Sequence, residues 1–405
     1  MSTEMLDYNQ GFDFGVGVDE STGMPMGIAI KPGDIQPVTQ AGGQNVSYNY
    51  SMIESVEDFY DALDVDVKAN ARYMFGSASA KFQFSQSLHV NTQSIYVVGR
   101  CTVVNSFLQT LHPTMNPDAA ALLSKGQAER FREAYGDSFI RGFQNGGQFY
   151  IVISITSSSR DEARKVGADV KAGVQFLVGG GSVSVSVDKV VKQSSSTCEF
   201  SVAMLQSGGK GNEASLTPTI EEATARLKAF PDIIARNPIP YSCLAASYKT
   251  LPLPDAPNFI DFKQQKRVLN EAAQLVIRYD AALNDLELVT SNIKSYEPIP
   301  TGKLDEWRNT LEKDIDALYD AASHAVDSPK EAQLPPLHSE SVIANIKSLK
   351  KKPSTPVKIV HFVGMVKPQR PREKALAQAM AQRRMKAQRT GQSSGAAREA
   401  RGSVK

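Results

Sequence analysis

FREAYGDSFIRGFQNGGQFYIVISI, residues Phe131–Ile155, reads as the end of one helix, a tight irregular corner and a strand. Gln127 to Ala134 is polar and helix-prone. Phe149, Ile151, Ile153 and Ile155 alternate with Gln148, Tyr150, Val152 and Ser154 at the period of two that a half-buried strand requires. Gly136, Gly142, Gly146 and Gly147 mark the corner as a place where backbone turns or lies close against another segment.

Within it, Tyr135-Gly136-Asp137-Ser138-Phe139 followed by Gly146-Gly147 and a strand resembles the signature of the membrane-attack-complex/perforin (MACPF) family. That signature has an aromatic, Gly, Thr or Ser, His, then Phe or Tyr, with a Gly pair shortly before a long sheet strand. Asp137 and Ser138 depart from its middle positions. Gly11 to Pro32, two short strands about a turn at Asp19–Gly23, resembles the opening of that family's core, and Asn237-Pro238-Ile239-Pro240-Tyr241 resembles the passage that closes it.

On each side of the central strand lies a segment that satisfies two periods at once. In the first, Ile53, Val56, Tyr60, Leu63, Val67, Ala71 and Met74 share a helical face. Val67, Ala69, Ala71, Tyr73 and Phe75 also alternate with polar neighbours, and after Gly76-Ser77 the phase shifts to Ala78, Ala80, Phe82 and Phe84. A two-residue loop at Gly76-Ser77 pairs these apolar residues on one face and sets Arg72 opposite Lys81 on the other. Each arm then has about the 9–11 residues of a tilted transmembrane strand. In the second segment, Ala163, Val166, Val170, Val174 and Leu177 form a helical stripe. Val170, Val174, Phe176 and Val178 also belong to an alternation that flips, after a glycine run, to Val183, Val185 and Val187. Helix and strand both remain open for each segment.

The resemblance implies an α+β fold: a bent, twisted four-stranded antiparallel sheet flanked by two helical clusters that can convert into membrane-inserted hairpins. Ser94–Asn105, Gln148–Thr156 and Cys198–Leu205 are the expected strands, with the first strand within Gly11–Ala41 and a flexible stretch from there to Asn49. Tyr135, Gly136, Phe139, Gly146 and Gly147 are the expected signature and hinge. The core is expected over residues 8–255 and a helical hairpin over 256–330, the latter from apolar stripes interrupted at Pro298 and Pro300. A Pro-containing linker and a basic, disordered tail are expected over 331–405.

The chain has 405 residues, 41% hydrophobic and 22% charged, as soluble globular proteins have. Its net charge of +2 is unevenly spread: residues 367–405 carry eleven basic and two acidic side chains, net +9, which leaves −7 on the preceding 366. No apolar run approaches the roughly 20 residues of a transmembrane helix, and the start of the chain lacks the pattern of a secretory signal. A soluble protein without a classical signal peptide is therefore expected, with non-classical release compatible with it. Cys101, Cys198 and Cys243 have neither metal-ligand nor redox spacing. No HExxH or phosphate-loop pattern occurs, and no local Cys, His and carboxylate grouping nominates a nucleophile and base. Catalytic residues, cofactors and metals are not expected.

The family implies a pore-forming or membrane-perturbing protein of toxin, cytolytic or defence type. Its expected partners are further copies of the chain and membrane lipid, with a separate targeting partner left open. A non-lytic relative is the second reading, in keeping with Lys81, Asp169, Lys171 and Gly173 inside the clusters. The third is a binder of anionic surfaces or nucleic acid through the basic tail. Nucleic acid is disfavoured because the tail has almost no aromatic residues on which bases stack.

Overall fold

A computed structural model of the chain describes residues 3–38, 43–65, 74, 79–157, 159–179, 187–209, 214–215, 218–252, 263–350 and 352. Strands come first: β1 (Thr3–Asp7), β2 (Val16–Asp19), β3 (Met24–Ile28), β4 (Ile30–Lys31), β5 (Asp34–Pro37) and β6 (Asn45–Ile53). Helices α1 (Val56–Ala62) and α2 (Ala80–Ser87) precede β7 (Ile95–Leu111) and β8 (Thr114–Met115). Helices α3 (Pro117–Ser124) and α4 (Ala128–Tyr135) then lead into β9 (Ser138–Ser157). Next come α5 (Arg160–Gly179), α6 (Val187–Ser194), β10 (Cys198–Ser207), β11 (Ala214–Ser215), α7 (Ile220–Arg236) and β12 (Ile239–Ser247). Three helices end the described chain: α8 (Lys263–Ser291), α9 (Lys303–Asp327) and α10 (Ser339–Ser348).

The fold is α+β, built on a large antiparallel sheet that joins ten strands among the described residues, more than the four expected. At one end of the sheet the order is β6, β7, β9, β10, and these four are the nearest match to that expectation. At the other end β5 replaces β6 beside β7, and β12 with β1 replaces β10 beside β9. The edge strand beside β7 is thus β6 at this end and β5, which does lie within Gly11–Ala41, at the other; Asn45–Asn49 of the stretch read as flexible already belong to β6. Val46, Tyr50 and Met52 pack on the apolar core beneath the sheet and alternate with Ser47, Asn49 and Ser51, the period of two of a half-buried strand.

The corner is also different from its reading. β9 runs unbroken for 20 residues from Ser138, so Gly142, Gly146 and Gly147 lie inside a strand. Gly136, at φ +75° after the last turn of α4, makes a turn, and Gly146, at φ +144°, stays within β9 where its pairing with β7 and β12 shifts register.

Alternation along β7 and β9 separates two cores. Tyr96, Val98, Tyr150 and Val152 face one way, into a core shared with α1, α2 and the C-terminal helices α8, α9 and α10. Ile95, Val97, Phe149, Ile151 and Ile153 face the other way, into a core shared with α5, α6 and α7. α8 and α9 pack against each other as a helical pair. The linker expected from residue 331 instead contains α10, whose Val342, Ile343 and Ile346 are buried on the same core. The tail from 353 onward lies outside the described residues.

Candidate functional site

The signature begins where α4 stops. Gly136 is held so close to β2 that a Cβ there would sit 2.2 Å from the Val18 carbonyl oxygen, and one on Gly17 would sit 1.9 Å from that of Tyr135. Only glycine allows this mutual approach, and Gly136 has the positive φ besides. The Tyr248 hydroxyl donates to the Tyr135 carbonyl at 2.8 Å. Phe131, Phe139 and Tyr248 form a fully buried aromatic group around it, with ring centroids 4.9 and 5.5 Å from Tyr248.

Asp137, the departure from the family pattern, has a local explanation. Its N–H donates to the Val18 carbonyl at 2.8 Å, and its carboxylate accepts from Arg132 of α4 and from the Glu20 N–H. Burial pushes this carboxyl up to about 6, Arg132 pulls it down and Asp19 pushes it up further. Arg132 also donates to the Ser21 hydroxyl at 3.3 Å, and Ser21 donates to Gln265 on α8 at 3.1 Å. A polar chain therefore runs from the signature to the C-terminal helices.

Gly146 and Gly147 sit where β9 exchanges one neighbour for another. β10 pairs as far as Gln148, and β12 begins at Gly146. A Cβ on Gly146 would meet the Val103 carbonyl oxygen at 1.9 Å; one on Gly147 would meet Ile234 of α7 at 2.4 Å and the Ser207 carbonyl at 2.6 Å. α7 presses directly onto this bare backbone. Its start is fixed by the capping box of Thr219 and Glu222.

Each cluster is a loop between two paired strands. The first joins β6 to β7 at the Ile53–Tyr96 pair, and the second joins β9 to β10 at the Ser157–Cys198 pair. The Ile95–Ile155 pair brings both sites to the same end of the sheet. Where described, both clusters take the helical period. Phe82 and Phe84 are buried on α2 and Ala80 is exposed; Val170 and Val174 are buried on α5, Phe176 is half-buried, and Val187 is buried at the start of α6. Val178 lies in the last turn of α5. Val67, Ala69, Ala71, Tyr73, Phe75, Ala78, Val183 and Val185, with both hairpin turns, lie outside the described residues.

Among the described residues no helix is long and apolar enough to cross a membrane, and no group of three or more His, Cys, Asp or Glu could hold a metal ion. The residues that sequence reasoning missed are charged ones brought together by the fold. Lys81 of α2 meets Asp7 of β1 and Asp64 beyond α1, and Asp64 meets Arg100 of β7. Nothing in their spacing announces this. The only signal is Lys81 itself, a charge among buried aromatics.

The family model described as "MAC/Perforin domain" matches residues 12–279, which includes the signature, both clusters and the first half of α8. No curated protein sequence matches the chain. Among solved structures, stonustoxin is similar at 10% identity and a TM-score of 0.47, covering 85% of this chain and 44% of its own. GNIP1Aa from Chromobacterium piscinae is similar at 15% and 0.38, covering 68% and 56%. A non-hemolytic pneumolysin from Streptococcus pneumoniae strain ST306 is similar at 12% and 0.37, covering 60% and 61%. The chain thus spans 44% to 61% of the length of these structures.

Proposed function

The chain belongs to the MAC/Perforin family, and on that footing we propose that it perturbs membranes by assembling several copies and converting its two clusters into inserted β-hairpins. The observation that carries this reading is where the clusters are attached. Residues 54–94 and 158–197 each connect neighbouring antiparallel strands at one end of the sheet. Unfolded from their helices, they would prolong β6 with β7 and β9 with β10 in the existing register. Arms of roughly 20 residues rising about 3.3 Å each reach ~65 Å, about twice the ~30 Å of bilayer hydrocarbon. The apolar faces at Val67 to Phe84 and Val170 to Val187 would meet lipid. Further copies of the chain and membrane lipid are the partners of this reading, with the basic tail adding attraction to anionic headgroups. The protein acts on this reading by insertion, not by catalysis.

The test is dye release from liposomes together with electron microscopy for rings or arcs. Cysteine pairs tying α1 to β7, or α5 to β7, should abolish release until reduced. Equal release from tied and untied protein would remove the conversion. A protein that binds vesicles without releasing dye would be a non-lytic member of the family.

A further inference from the structure

Lys81 is 6% exposed, although α2 is a short helix near the molecular surface whose neighbours Ala80 and Gln83 are open to water. Its ammonium lies 2.6 Å from Asp7 Oδ1 and 3.6 Å from Asp64 Oδ2, and it donates to the Asp64 carbonyl at 2.9 Å. Asp64 follows α1 in the left-handed region, φ +58°, which a short carboxylate side chain tolerates better than most. Asp64 Oδ1 is met by Arg100 Nη1 at 3.5 Å, and Oδ2, the oxygen nearest Lys81, also accepts from Gln148 Nε2 at 3.3 Å. Two cations and two carboxylates from α2, the end of α1, β1 and β7 thus form one balanced group on the sheet.

The two clusters differ here. Among the described residues the ion pairs of the second cluster lie at the surface, where Arg164 reaches Glu54 and Asp161 from a side chain 45% exposed. Exposed pairs of that kind contribute little. The Lys81–Asp7 pair is another matter, because its side chains are only 7% and 20% exposed and removing Asp7 takes from the buried ammonium its nearest counter-charge; Arg100 and Asp64, at 27% and 53%, lie nearer water. If the first cluster departs, Lys81 and Asp64 go with it while Asp7 and Arg100 stay on the sheet. Departure therefore separates both ion pairs at once. In the hairpin register Lys81 falls on the polar side, opposite Arg72, so the same lysine is paired and buried in one form and hydrated in the other.

We propose that Lys81 is the clasp of the first cluster: its pairing with Asp7 and Asp64 holds α1 and α2 on the sheet, and loss of that pairing frees this cluster selectively. The clasp is a property of the folded chain; only its consequence for insertion rests on the pore-forming reading.

Amide hydrogen exchange on the full-length chain in solution tests it, with Lys81→Met, Asp7→Asn, the double variant and Lys81→Arg compared with the parent. Both single variants should speed exchange in α1 and α2 by about tenfold or more while leaving α5 and α6 within about twofold. The double variant should be no faster than the faster single one, because Lys81→Met already removes the interaction that Asp7→Asn removes. Lys81→Arg, which keeps the charge, should stay closer to the parent. Asp7→Asn changes no heavy-atom count and carries the test if Lys81→Met fails to fold. Unchanged exchange in α1 and α2, an equal rise over both clusters, or additive single effects would each overturn the clasp. Dye release measured in parallel separates the two ideas. Selective exchange with no dye release from any variant upholds the clasp and removes the pore-forming reading.

Discussion

The first and second clusters share a design and differ in how they are held. Both follow the helical period where described, and both join adjacent strands at one end of the sheet. The second cluster lays an apolar stripe, Ala163, Val166, Val170 and Val174, on one sheet face and leaves Arg164, Lys165, Ala168 and Asp169 in water. The first cluster shares its core with the opposite face and also with the C-terminal helices. Asn284 of α8 donates to the Val90 carbonyl at 2.8 Å, and Asp285 accepts from the Thr92 N–H and hydroxyl at 2.9 and 2.8 Å. A small cavity, about 20 Å³, remains between α1, α2 and α8, lined by Tyr60, Ser85 and Ile277 among others. Similar sequence periodicity thus gives one segment packed between the sheet and the C-terminal helices and one packed on the sheet beside α7. Amphipathicity states which face is buried, but not how many neighbours share it.

The largest test of that contrast truncates an aromatic in the doubly held cluster. Phe82→Ala should cost about 3–5 kcal/mol of global stability, since its cavity opens into a core that also contains α8 to α10. Val170→Ala should cost roughly 2 kcal/mol, for two methyl groups and a smaller cavity. Chemical denaturation of both variants checks this; a costlier Val170→Ala would reverse the ranking of the clusters.

A smaller effect comes from Asp285. Burial pushes its carboxyl up to about 6, against which the bonds from Thr92 pull it down. The unfolded carboxyl titrates near 4, so between about pH 4 and 6 the folded chain binds the extra proton, and the stability contributed by this residue rises as pH falls through that window. Asp137 has the same sign. Asp285→Asn should therefore raise the Tm at pH 7.5, by up to about 2 kcal/mol in free energy, and flatten the gain between pH 6.5 and 4.5. Lower stability for the Asn variant at neutral pH would mean that the charged bonds to Thr92 outweigh burial. The C-terminal grip on the first cluster would then be ionic.

The smallest effect is expected at the surface of the second cluster. The Arg164 guanidinium holds the Glu54 carboxyl below the usual range through a direct hydrogen bond. Both side chains are partly exposed, so Glu54→Gln should change stability by less than about 1 kcal/mol, and less still in high salt. A larger change would show that charge ties the second cluster to the start of the first.

Legibility in the sequence followed the reach of each interaction. Gln148–Thr156 and Cys198–Leu205 were readable because their alternation is local, and so was the stripe of α5. The signature was readable although Asp137 departs from it, since Gly136 and Phe139 keep their spacing. The glycines inside β9 read as a turn because what excludes a side chain there is remote backbone, at Val103 and Ser207. α10 was hidden by Pro335 and Pro336 before it, and its start is capped from another helix: Asp314 accepts from the N–H groups of His338 and Ser339 and from the Ser339 hydroxyl. The spacing of Val342, Ile343 and Ile346 was the signal available. The group around Lys81 draws on residues as far apart as Asp7 and Arg100, and no local pattern contains it.

Gln265 of α8 spends both ends of its amide across the molecule, accepting from Ser21 at 3.1 Å and donating to the Ala325 carbonyl at 2.9 Å, at 1% exposure. Together with the apolar core that α8 shares with the sheet, it makes attachment of the C-terminal helices a matter of packing rather than of peptide connection. A chain divided genetically between residues 252 and 263 should therefore reassemble from its two pieces, and a Gln265→Leu piece should do so more weakly. The covalent link between those pieces is a convenience of synthesis, and their recognition is written in the side chains that face one another.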